Sequence, residues 1–168
     1  MKIDAGTLLQ VQAQGLGRPF AANRGWMLYA GLVIALVTWL LCWYGDTFVS
    51  IVDIWRRSDT YAHGFLILPI SGWLIWRNRD RVAALTQHAE YIPLAVLALL
   101  GLGWLLADVA GVLPAAQYCV VAMMPVLAWA VLGRRVAAEL AFPLGYLLFA
   151  VPIGEFMLPT LISQTADF

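Results

Sequence analysis

The constraint that most limits this chain is where its charges are not. Of 168 residues, ten are Lys or Arg and ten are Asp or Glu. They gather in short clusters that leave five charge-free stretches: Gly25 to Gly45, Thr60 to Trp76, Tyr91 to Ala107, Val109 to Gly133 and Leu140 to Gly154. An α-helix rises about 1.5 Å per residue and the hydrocarbon core of a bilayer is about 30 Å thick, so roughly 17 to 25 apolar residues cross it. With no water in that core to pair with the backbone, a spanning segment must satisfy its own N–H and C=O groups, as a helix does. The pattern predicts an all-α, polytopic integral membrane bundle with spans near residues 25–45, 60–76, 91–107, 114–133 and 140–154.

Composition points the same way. The chain is 62% hydrophobic with a mean hydropathy of +0.81, more apolar surface than a soluble domain of this length can hide. A formal net charge of zero offers no basic tract to hold phosphates, which excludes nucleic acid as a partner. Cys42 and Cys119 lie inside apolar stretches, away from any Cys or His at metal-ligand spacing. A thiol held in hydrocarbon is a poor nucleophile, so both read as inert. No phosphate-binding Gly loop, His-Glu-x-x-His, Cys-x-x-Cys or Gly-x-Ser-x-Gly occurs, and no metal or cofactor is expected.

Orientation follows from the basic residues. Lys2, Arg18 and Arg24 precede the first stretch, Arg77, Arg79 and Arg81 follow the second, and Arg134 and Arg135 follow the fourth. Only Arg56 and Arg57 fall on the opposite side. The asymmetry predicts a cytoplasmic N-terminus, with residues 1–24 as a polar cytoplasmic tail and the loop around Asp53 outside. Trp26, Trp39, Trp43, Trp55, Trp73, Trp76 and Trp104 fall near the expected helix ends and read as interfacial anchors, not as a carbohydrate platform. Pro143 and Pro152 leave the fifth stretch open between two short helices and one bent helix.

One dense polar cluster remains, between the first two stretches: Asp53, Arg56, Arg57, Ser58, Asp59, Thr60, Tyr61 and His63. Its bland reading is a capped, surface-lying amphipathic turn, with Asp53 and Arg57 as an i, i+4 ion pair and Ser58 or Asp59 as N-cap of the second span. His63, four residues after Asp59, would share a helical face with it at the start of that span. Ionisable groups at that depth commonly line a watery cavity. Gly64 would let a neighbouring helix or ligand approach closely. Arg56, Arg57, Asp59, His63 and Gly64 are therefore the candidate pocket or structural polar cluster. His88, in the Gln-His-Ala-Glu segment, has no such surroundings.

The string Ser58 to Ser71, Ser-Asp-Thr-Tyr-Ala-His-Gly-Phe-Leu-Ile-Leu-Pro-Ile-Ser, resembles the early segment of the exosortases, most closely the exosortase A branch, which reads Asp-x-x-x-Ala/Ser-His-Gly with a Pro shortly after. Residues 139–154, which include Phe142-Pro143-Leu144 and Pro152, resemble that family's Phe-Pro-Leu-x-x-Leu-x-Phe-x-x-Pro helix. The resemblance implies a multi-spanning bacterial inner-membrane cysteine peptidase or transpeptidase, associated with exopolysaccharide production. Its partners would be the lipid bilayer and exported proteins bearing a C-terminal sorting signal, Pro-Glu-Pro followed by a membrane helix and a basic tail. The family's proposed nucleophile is a Cys in an Ala-Cys-Ser-Gly-like segment, aided by an Arg and a His. Neither Cys42 nor Cys119 matches it, so no catalytic residue is assigned within this chain. The expectation is an N-terminal portion of such an enzyme, incomplete at its C-terminus, with the catalytic segment beyond residue 168. The competing expectation is a non-enzymatic membrane subunit or transporter that binds a substrate or proton at Asp59 and His63.

Overall fold

The structure, a computed structural model, describes residues 20–152. The helices run α1 (Phe20–Trp43), α2 (Gly45–Arg57), α3 (Gly64–Arg77), α4 (Arg79–Ala84), α5 (Ile92–Val109), α6 (Leu113–Leu132), α7 (Arg134–Glu139) and α8 (Ala141–Tyr146), with 3-10 turns at Asp59–Tyr61 and Leu147–Ala150. No strand occurs among the described residues. The chain is an all-α membrane protein. Gly25–Trp43 of α1, Ile92–Val109 and Leu113–Leu132 are long and apolar enough to cross a bilayer.

The second and fifth charge-free stretches come out shorter than expected. Helix α3 has 14 residues, about 21 Å at 1.5 Å per residue, and it begins at Gly64, where the sequence suggested Thr60. The fifth stretch resolves into α8 followed by the 3-10 turn, and Val151 is already extended. These two short elements pack on each other, and Ser71 Oγ donates to the Pro143 carbonyl at 3.0 Å between them. At the other extreme α1 starts at Phe20, inside the segment expected to be tail. The rest of that expected tail, residues 1–19, lies outside the described residues, as do Ile153 and Gly154.

Local chemistry explains the breaks. From Gly25 onward α1 is free of charge and strongly apolar, and it stops at Trp43; α2 resumes at Gly45 with a different character. Thr47, Ile51, Ile54 and Trp55 recur at helical spacing and are buried, while Asp46 and the Arg56–Arg57 pair sit at its ends. Asp46 in the first turn and the two arginines in the last complement the helix dipole. This is an amphipathic helix lying against the bundle. Helices α5 and α6 form a tight antiparallel hairpin, the largest contact in the structure. Its turn is a Schellman motif: Val112 N–H reaches the Ala107 carbonyl at 2.8 Å and Gly111 N–H the Asp108 carbonyl at 3.0 Å, with Gly111 at φ +69.

Helix α6 is the centre of the bundle, touching α1, α2, α5, α7 and α8. Val120, Val121, Met123, Leu127 and Ala128 are buried on it. The two ends of the bundle differ chemically. At one, Arg81 meets Glu139 at 3.4 Å, Arg77 and Arg79 lie over Trp73 and Trp76, and Glu90 grips the α6–α7 junction. Its carboxylate accepts from Trp129 Nε1 at 3.0 Å and from the Arg134 backbone N–H at 2.9 Å, while its own N–H donates to the Ala130 carbonyl. Near the opposite end lie α2, the start of α6, and Ala150 to Pro152. Trp39, Trp43, Trp73 and Trp76 are exposed, as interfacial anchors should be, but Trp55 is 6% exposed and belongs to the core.

Candidate functional site

The polar cluster at the α2 end is assembled differently from the expected capped turn. Arg57 donates from Nε to the backbone carbonyl of Asp53 at 3.2 Å, so the i, i+4 relation is filled by the main chain and not by the carboxylate. Ser58 is extended and forms no side-chain cap. Asp59 opens a 3-10 turn, and His63 is the N-cap residue of α3, also without a side-chain cap. Because the helix has not begun at Asp59, that residue and His63 do not share a helical face. His63 Nδ1 instead meets the Thr60 carbonyl at 2.9 Å, which only its N–H tautomer can do. No hydrogen bond or ion pair joins Asp59 to His63, and Arg56 and Arg57 are exposed.

Gly64 has a definite structural reason. A Cβ there would overlap the indole of Trp55, which is wedged between Gly64 and the 3-10 turn Leu147–Ala150. Phe65 packs edge-on against the same indole at 5.2 Å between centroids. The indole Nε1 donates to the Ala150 carbonyl at 2.9 Å. Three segments far apart in sequence, 55, 64–65 and 150, are thereby tied at one point. Below this anchor lies an apolar cleft of about 460 Å³ bordered by Val37, Phe48, Ile51, Ser71, Met124 and Leu144.

On the other side of α2 is a smaller cleft of about 250 Å³, lined by Ser50, Ile54, Arg57, Leu113, Gln117 and Pro152 among others. Its polar groups form a chain. Ser50 Oγ donates to the Thr47 carbonyl at 2.6 Å, and Gln117 Nε2 donates to Ser50 Oγ at 3.0 Å. Thr47 Oγ1 in turn accepts from Trp104 Nε1 at 3.1 Å. The Ser50 proton is committed to Thr47, so Ser50 can only accept from Gln117, and this fixes the amide with its nitrogen toward Ser50. Gln117 is 1% exposed, and its Oε1 has no partner among the described residues. An orphaned buried carbonyl costs about 1–3 kcal/mol, and such a group calls for an explanation. Gln117 had no place among the sequence candidates, since it is uncharged and sits inside a charge-free stretch. The signal was nonetheless present, as a full amide four residues into an apolar span.

Both thiols lie away from this cluster. Cys42 is exposed on α1, and Cys119 Sγ packs toward Gly103 on α5. Neither approaches a His, Asp or Glu in a metal-holding group among the described residues.

Comparison with known proteins returns one family. The model of the transmembrane exosortases matches residues 55–168, more than half of the chain. The match opens at Trp55 and takes in Arg56, Arg57, Asp59, His63, Gly64 and Gln117. No curated protein and no solved structure matches.

Proposed function

Because the chain belongs to the transmembrane exosortase family, we propose that it forms the membrane-embedded, substrate-receiving part of a cysteine peptidase or transpeptidase. The substrates are exported proteins whose C-terminal Pro-Glu-Pro signal precedes a membrane helix and a basic tail. The observation that carries this reading is the family match, which begins at the residue anchoring the α2 end and runs through every candidate side chain there. The protein sits in the bacterial inner membrane with its N-terminus in the cytoplasm and the α2 end facing outward, which the eight-to-two distribution of Lys and Arg supports.

In this reading the chain's own residues bind and orient the substrate and do not react with it. Trp55, Gly64 and Ala150 hold α2 and the short helices in register. His63, fixed through Nδ1 to Thr60, offers Nε2 at the rim, and Arg56 and Arg57 supply positive charge. The thiol that attacks the scissile carbonyl, with its supporting Arg and His, comes from outside residues 1–168, because neither Cys42 nor Cys119 stands in a matching segment. Nothing in the arrangement favours the subunit or transporter reading, since Asp59 and His63 do not form the pair it requires.

The test is co-expression of the full reading frame with an exported reporter carrying the Pro-Glu-Pro signal, membrane helix and basic tail. The reporter's intact mass should fall by the length of the signal only when the enzyme is present. An unprocessed reporter, with the protein at normal membrane levels, contradicts the proposal.

A further inference from the structure

We infer that the cleft between α2 and the start of α6 is a subsite for an acidic peptide segment, with Gln117 Oε1 accepting a backbone N–H and Arg57 pairing with the neighbouring carboxylate. This rests on the reading of the chain as a receiver of exported protein, and adds to it the residues and chemistry of one subsite.

Gln117 is fixed by Ser50 through one of its two amide N–H groups, and its Oε1 acceptor has no partner among the described residues. A ligand meeting it must bring a donor. Arg57 spends Nε on the Asp53 carbonyl, and its Nη groups form no ion pair with a described residue. That fork suits a carboxylate. The remaining walls, Ile54, Leu113 and Pro152, are apolar. The ligand is therefore a monoanion with one hydrogen-bond donor close by and apolar flanks, and the cleft's roughly 250 Å³ limits what enters to one or two residues. An acidic residue in an extended peptide has all three features in one unit.

A phosphate headgroup fits less well. Phosphate sites gather several donors, whereas here the Ser50 hydroxyl is committed to Thr47 and the Gln117 amide already gives one of its two N–H groups to Ser50. Among the described lining side chains Arg57 is the one cation.

The experiment uses the full chain in phosphatidylcholine nanodiscs and a rhodamine-labelled, amidated heptapeptide, Ala-Ala-Leu-Glu-Leu-Ala-Ala, followed by fluorescence anisotropy. Replacing the peptide Glu by Gln should weaken binding about tenfold, and Arg57→Gln should do the same, with no further loss when both changes are combined. Methylating the backbone nitrogen of the peptide Glu should likewise cost about tenfold and be non-additive with Gln117→Leu. Both protein variants are checked for an unchanged unfolding midpoint, and Gln117→Met replaces Gln117→Leu if the latter is unstable. The inference is overturned if either variant binds every peptide as the parent does, or if the paired losses add. It is also overturned if dioctanoyl phosphatidylglycerol displaces the peptide while N-methylation has no effect, for the ligand is then a lipid headgroup. No processing step enters this assay. Loss of the subsite with a reporter still cleaved refutes the subsite alone, and non-additive binding with a reporter left intact refutes the enzymatic reading alone.

Discussion

Single side chains at this protein's two ends are fixed by contacts that fold the chain back on itself. Gly64 is glycine because Trp55 occupies the space a Cβ would take. Gly64→Ala should therefore destabilise the protein by about 1–3 kcal/mol, as overpacking of a tight contact does, read as a lower midpoint of thermal unfolding in detergent. Gly72→Ala, inside α3 where a Cβ meets nothing within 4 Å, is the control and should not lower the midpoint. At the arginine end Glu90 accepts from both Trp129 and Arg134. Glu90→Ala strands a half-buried indole N–H and the first backbone N–H of α7, and should cost about 1–3 kcal/mol. Gly133 beside it has φ +83 and would direct a Cβ into the His88 carbonyl, so Gly133→Ala should be at least as damaging. His63 is a different case. Its exposed ring is held through Nδ1 to Thr60. In the processing assay His63→Gln should keep part of the activity and His63→Ala should lose about 5- to 150-fold if the ring hydrogen-bonds the substrate in the reacting complex. Equal activity of both variants with the parent would make His63 a turn residue only.

Among the helices, what was legible in the sequence tracks how strongly burial in lipid dictates the pattern. The first, third and fourth charge-free stretches became long apolar helices within a few residues of their expected ends, because hydropathy and charge exclusion are one-dimensional properties. The second and fifth did not. Their ends depend on the Trp55–Ala150 anchor and the Ser71–Pro143 hydrogen bond, contacts between residues 95 and 72 positions apart, and no local pattern encodes those. Helix α2 was half visible. Its charged end stood out as a cluster, but the buried Thr47 and half-buried Ser50 that tie it to α5 and α6 carry no charge. Gln117 was missed for the same reason. A polar amide inside an apolar span is itself a marker, and scanning the spans for uncharged polar residues as well as charged ones would have found it. Asp59 and His63 do not pair as expected because the chain between them forms a 3-10 turn and α3 begins only at Gly64, so α-helical spacing does not hold there.

For the molecule as a whole, the separation of the two ends is the property on which the proposed orientation and function both rest. One end collects Arg77, Arg79, Arg81, Glu90, Arg134 and Glu139; the other holds α2 and the smaller cleft, while the larger cleft runs from Trp55 toward Ile75 and Ala128. Reporter fusions after Arg81 and Arg135 should behave as cytoplasmic, and fusions near Asp53 and Gly111 as exported. A cytoplasmic signal near Asp53 would put the α2 end on the wrong side to meet an exported substrate. The proposed function has this chain receive the sorting signal and has neither Cys42 nor Cys119 as the attacking thiol. Its most direct measurement is the intact mass of the reporter when the full-length protein carries Cys42→Ala and Cys119→Ala together. The account predicts a reporter shortened as fully as with the unmodified protein, because neither thiol lines either cleft. A reporter left unprocessed, with the double variant at normal levels in the membrane, would contradict it.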